Sequence, residues 1–173
     1  SKADLPSTKF SEVISYEELL SMGSENFQWV EGEETDACGI CYTSGTTGNP
    51  KGVVYTHRSN TLHALTQAAP DMLNLSSTDT VMPVVPLFHA NGWSIAYTAP
   101  LVGSSIVFPG GDLSPSSLYD MLERGVTMTA AVPTVWLLLL NFLESEQKKL
   151  SSLERVVIGG SSCPRSVIED FQN

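Results

Sequence analysis

From residue 37 to the end of the chain, short apolar runs rich in β-branched residues alternate with longer segments whose apolar positions recur at three and four residues. Short runs bounded by turn-forming residues fit strands, and the 3.6-periodic segments fit helices. The runs predict strands over 37–42, 52–55, 80–85, 105–108, 127–132 and 155–158. Helices are predicted over 59–68, 114–124 and 133–147, the second with Ser114 as N-cap, Pro115 in its first turn and Gly125 at its end. A further helix begins at Pro164, and Asn173 falls within it. Such alternation is the signature of βα units, so the fold class is α/β: a layered sheet with flanking helices. Residues 1–35 differ. They are acidic, carry Pro6, Gly23 and Gly32, hold one short helix near 16–21, and read as an approach segment.

The most apolar stretch, 130–143, is broken by Pro133, Thr134 and Asn141. It falls short of the roughly 20 residues a spanning helix needs, so no transmembrane segment is expected and Leu137 to Leu140 read as a buried helix face. With 173 residues and 42% hydrophobic content, the chain can bury a core of its own. Its net charge of -10, from 19 acidic and 9 basic residues, argues against nucleic acid or an anionic membrane as partner. Any anion site must therefore be local. Three cysteines do not make a disulfide framework and no export signal precedes them, which points to the cytoplasm. Cys38 and Cys41 match C-x-x-C, but a zinc knuckle needs four ligands, so these cysteines are expected to be buried and apolar.

The segment from Thr43 to Gly52 gathers three glycines, four hydroxyls and Lys51 between two strand-like runs. Gly45, Gly48 and Gly52 let backbone N–H groups approach an anion; Thr43, Ser44, Thr46 and Thr47 can donate to phosphate oxygens, and Lys51 adds a mobile positive charge. This is a polyphosphate cradle. It is not the ordinary P-loop, because Gly52 rather than Ser or Thr follows Lys51. The alternative, a flexible hairpin linker, leaves the Pro50-Lys51-Gly52 exit without a purpose.

The run Thr43-Ser44-Gly45-Thr46-Thr47-Gly48-Asn49-Pro50-Lys51-Gly52 resembles the signature loop of the acyl-adenylate-forming (AMP-binding) superfamily. The continuation through Arg58, and the segments Pro86-Leu87-Phe88-His89-Ala90-Asn91-Gly92-Trp93, Ala131 to Trp136 and Val156 to Pro164, also resemble that family, closest to its long- and medium-chain fatty acyl-CoA synthetases. The likeness runs from about Asp36 to the end. It implies that residues 36–173 are an α/β AMP-binding subdomain, truncated within a large N-terminal domain, with 1–35 as an approach segment of the same domain and the C-terminal domain absent. The implied substrates are a fatty acid, ATP with Mg²⁺, and coenzyme A. The implied catalytic residues are Lys51 and His89. Thr43 would lie near Mg²⁺; Ser44, Gly45, Thr46, Thr47, Gly48 and Lys51 would hold the β- and γ-phosphates. His89 would face the phosphates at the acyl junction, Ala90 would border the acyl group, Trp93 would gate the fatty-acid tunnel, and Gly159, Gly160 and Ser161 would form the adenine-side loop.

Without the resemblance, His89 and Trp93 read rather as a core histidine and a packed tryptophan, and Gly159-Gly160 as only a strand-to-helix turn, though one whose geometry lets a flat ligand approach the backbone. Trp136 reads as core. Gly111-Asp112 is a turn before a helix, and Ser161-Ser162 lacks the G-x-S-x-G surroundings of a hydrolase nucleophile. The family's glutamate segment for Mg²⁺, its ribose aspartate, its hinge and its C-terminal lysine do not occur here, so a fragment inactive by itself is expected. A homodimer is compatible with this picture. Other classes stay open: a non-catalytic nucleotide-binding or interaction module, or an aryl- or amino-acid-adenylating enzyme.

Overall fold

The structure, a computed structural model, describes residues 9–10, 13–44 and 48–172. The chain divides into two compact units, Ser1–Glu33 and Glu34–Asn173. In the first, helix α1 spans Tyr16–Ser21; the Ser15 hydroxyl accepts from the Glu18 N–H, and Glu17 and Glu18 favour the positive end of the helix dipole.

The second unit opens with an antiparallel hairpin, β1 (Ala37–Thr43) with β2 (Lys51–Thr56), whose last cross-strand pair is Thr43 and Lys51. Helix α2 (His57–Gln67) follows directly. Thr56 caps it reciprocally: the Ser59 N–H donates to the Thr56 hydroxyl at 3.1 Å, and the Thr56 N–H to the Ser59 hydroxyl at 2.9 Å. The helix thus starts two residues before its predicted Ser59 start.

A four-stranded parallel sheet carries the rest, built from β3 (Thr80–Pro83), β4 (Ser105–Ile106), β5 (Met128–Ala131) and β6 (Arg155–Ile158) in the order β4-β3-β5-β6. Its helices are α3 (Ala90–Trp93), α4 (Ile95–Val102), α5 (Pro115–Leu122), α6 (Pro133–Ser145) and α7 (Arg165–Gln172). Val81, Met82, Met128, Thr129 and Ala130 are fully buried, as strands covered on both faces require. Alternate positions serve opposite layers. Val81, Met128 and Ala130 pack with Ile95 and Ala99 of α4, whereas Met82 and Ala131 pack with Leu118, Leu122, Trp136, Leu139 and Val167 of α5, α6 and α7. The fold is therefore the expected layered α/β arrangement.

Strand ends are shorter than the apolar runs. β3 stops at Pro83, after which the N–H groups of Val84 and Val85 both turn to the Ala130 carbonyl. β5 stops before Val132, which Pro133 restricts while starting α6. Helix α4 has no clear outline in the sequence, because Pro100 lies inside it and removes one backbone donor. Leu137 and Leu138 are exposed and Leu139 is buried, contrary to a uniformly buried run: successive helical residues point about 100° apart and cannot share one face. Cys38 is also exposed, against expectation, while Cys41 is buried, because β1 has one open face. Among the described residues no helix is long and apolar enough to cross a membrane.

Candidate functional site

In a parallel sheet whose order reverses beside its first strand, the loops leaving neighbouring strands separate at the carboxyl ends and open a crevice. Here the reversal lies between β3 and β5, and the candidate segments leave those ends: 84–93 after β3, and Gly159 to Ser161 after β6.

Residues 90–94 form a short left-handed turn, with φ of 43° at Ala90, 50° at Asn91, 60° at Gly92, 55° at Trp93 and 62° at Ser94. Four of the five are not glycine, and each costs on the order of 1 kcal/mol in this region. Bonds from outside hold the turn. The Cys41 thiol donates to Asn91 Oδ1 at 3.0 Å, Asn91 Nδ2 donates to the Tyr97 hydroxyl at 2.9 Å, and Gln67 Nε2 donates to the Trp93 carbonyl at 2.8 Å. His89 precedes the turn as an exposed residue.

The Trp93 indole reaches the other loop. A β-carbon on Gly159 would lie 2.9 Å from Trp93 Cη2, so only glycine accepts the ring this close, and Gly160 takes a φ of 83° beside it. Three segments far apart in sequence therefore meet at 91–93: the hairpin through Cys41, helix α2 through Gln67, and the glycine pair through the indole. Trp136 lies elsewhere, fully buried, with its N–H toward the Val157 carbonyl.

Thr43, Ser44, Gly48 and Lys51 are exposed around the mouth of the hairpin loop, where Gly48 has a φ of 123° and open space around it. Gly45, Thr46 and Thr47 lie outside the described residues. Among the described residues, no hydrogen bond joins this mouth to His89 or to Gly159 to Ser161. Nor do any three His, Cys, Asp or Glu side chains cluster closely enough for a metal ion among them.

A cavity of about 430 Å³ opens between β2, α2 and the left-handed turn, lined by Tyr55, Ser59, His63, Gln67, Ala90 and Trp93 among others. Two further hollows, of about 250 and 570 Å³, touch none of the residues expected to hold nucleotide, acyl group or Mg²⁺. Ala90 and Trp93 are thus brought to one wall. Ser59, His63 and Gln67 had not been singled out, although they repeat every four residues and so share a face of α2.

A doubly wound sheet with two of the selected loops, 84–93 and 159–161, beyond its strand ends defines a class: an α/β domain of the kind that takes a ligand in that crevice. The pattern described as AMP-binding enzyme matches residues 3–173, and the chain belongs to that family. The match begins well before Asp36, where the resemblance had been placed. The chain is 48% identical over 162 residues to a medium-chain-fatty-acid–CoA ligase of Ectopseudomonas oleovorans, covering 93% of this chain and 30% of that protein. It is 49% identical over 160 residues to a long-chain-fatty-acid–CoA ligase of Thermus thermophilus, covering 92% and 29% respectively. Among solved structures, a long-chain-fatty-acid–CoA ligase from Archaeoglobus fulgidus superimposes with a TM-score of 0.78 at 32% identity, over 92% of this chain and 32% of that one. The chain thus spans about 30% of the length of the curated relatives it matches.

Proposed function

We propose that this chain is the nucleotide- and acyl-gripping part of an ATP-dependent, AMP-forming fatty acyl-CoA synthetase. In the first step a carboxylate oxygen attacks the α-phosphorus of ATP, the bond to the β-phosphate bridge breaks, and pyrophosphate leaves. In the second the thiol of coenzyme A takes the acyl group and AMP departs. Both reactants of the first step are anions, so the site must offset their repulsion with preorganised donors. The mouth formed by Thr43, Ser44, Gly48 and Lys51, with Gly45, Thr46 and Thr47, would supply hydroxyls, N–H groups and one cation to the β- and γ-phosphates.

Mg²⁺ keeps several waters and binds largely through substrate phosphates. An exposed Thr43 hydroxyl fits as this chain's contribution to holding it, where the ion would neutralise triphosphate charge. His89 would stand at the junction of phosphate and acyl group, Ala90 and Trp93 on the acyl side, and Gly159, Gly160 and Ser161 on the adenine side. Free Cys38, Cys41 and Cys163 accord with a cytoplasmic setting.

The observation that carries this reading is the convergence at 91–93, where the hairpin and the glycine pair both reach the segment that follows His89. In the full-length protein, Lys51→Ala should weaken ATP binding about tenfold, as loss of a charged donor does. Calorimetric titration with magnesium-ATP measures it, and unchanged affinity would remove the cradle assignment.

A further inference from the structure

We infer that Gln67 is a positioning residue for Trp93 that sets which acyl chains the site accepts, an inference that rests on the reading of Trp93 as the acyl-side gate. Gln67 is buried at 8% exposure, and both ends of its amide are engaged. Nε2 donates to the Trp93 carbonyl at 2.8 Å, and Oε1 accepts from the Thr98 hydroxyl at 2.8 Å. Chemistry determines that orientation. A carbonyl only accepts, so the amide must turn its NH₂ to Trp93 and its oxygen to Thr98.

Thr98 is fully buried on α4; its one hydroxyl proton goes to Gln67 while its backbone N–H donates to the Ser94 carbonyl at 2.9 Å, so the Gln67–Thr98 pair holds two residues of the turn. A left-handed stretch with four non-glycine residues does not hold itself. Gln67 bonds the carbonyl of the residue whose side chain matters most. Trp93 lines the cavity and its indole rests against Gly159, so a shift in the Trp93 backbone changes how the ring sits against both. The Gln67 side chain also lines the same 430 Å³ cavity. It therefore acts on the acyl chain through the ring it anchors and through the wall it forms.

The test compares wild type with Gln67→Met in the full-length enzyme, since methionine keeps the length and loses both bonds. Pyrophosphate release is followed with octanoate and with palmitate, together with the KM for ATP and the thermal midpoint. The ratio of kcat/KM between the two acids should change about fivefold, carried by the KM for the acid, with the KM for ATP unchanged. A ratio within about twofold of wild type, whatever happens to the midpoint, would show that Gln67 only supports the fold and would overturn the inference. Should Gln67→Met not fold, Thr98→Val, which frees the amide to turn, is read against the same two outcomes. A wild-type enzyme releasing pyrophosphate with neither these nor other acids would instead remove the proposed function, and the inference with it.

Discussion

A β-carbon at residue 159 would come within 2.9 Å of Trp93 Cη2, whereas one at Gly111 would meet nothing within 4 Å. Flexible side chains absorb such a contact, but an indole ring can only move as a body. Gly159→Ala should therefore cost about 1–3 kcal/mol through overpacking, and Gly111→Ala, where φ is ordinary, about 0.5 kcal/mol or less. Urea unfolding of both variants checks the difference; equal stabilities would mean that the ring yields freely. The sequence told that Gly159-Gly160 admits a flat group to the backbone. Which flat group lies there was not legible, because Trp93 is 66 residues away, counted as 159 minus 93, and no local pattern links the two. Gln67 was missed for a similar reason: a glutamine near a helix end has many ordinary uses, and its value here comes from a carbonyl on another element.

Helix α2 is held by its cap more than by its face. It has two buried residues, Ala64 and Gln67, and a sequence rich in residues that are not strong helix formers. Thr56 satisfies an orphan N–H at its start and receives a bond in return. Thr56→Ala should lower stability by about 1 kcal/mol. Chemical denaturation measures this, and because α2 carries His63 and Gln67 to the cavity wall, fraying should also raise the KM for the acid. A stability equal to wild type would mean that packing on α4 alone holds the helix. The cap was overlooked in the sequence because Ser59, not Glu or Gln, stands three residues on. Helix α5 was plainer, since Ser114 and Pro115 mark its start and Asp112 accepts from the Ser114 N–H.

Across the whole molecule, the amino ends of three strands are tied by one carboxylate. Asp79 before β3 accepts from the Ser76 N–H at 2.8 Å and from Thr127 Oγ1 before β5 at 2.7 Å, and it pairs with Arg155 at the start of β6, which also donates to the Asn74 carbonyl at 2.8 Å. Burial works against the charge of Asp79, but the bonds from Thr127 and Ser76 and the Arg155 guanidinium outweigh it and hold the carboxyl below its ordinary value of 3.8. A depressed carboxyl contributes stability that is complete above its unfolded value and lost as pH falls through the folded one. Asp79→Asn should thus cost about 2–3 kcal/mol at pH 7, and the gap to wild type should close as the pH falls below about 4. Unfolding curves at the two pH values measure this, and a gap independent of pH would refute it. The sequence by itself determined the α/β class, most strands and helices, the glycine- and hydroxyl-rich loop with its lysine, and the acidic surface, because these depend on local backbone preference, on side-chain periodicity and on summed charge. Only the tertiary structure decided that Cys41 meets Asn91, that Gln67 grips Trp93, that the indole rests on Gly159 and that Asp79 reaches Arg155. These pairs are 26 to 76 residues apart, and such contacts follow from how helices pack on both faces of a twisted sheet, which no short window of sequence contains.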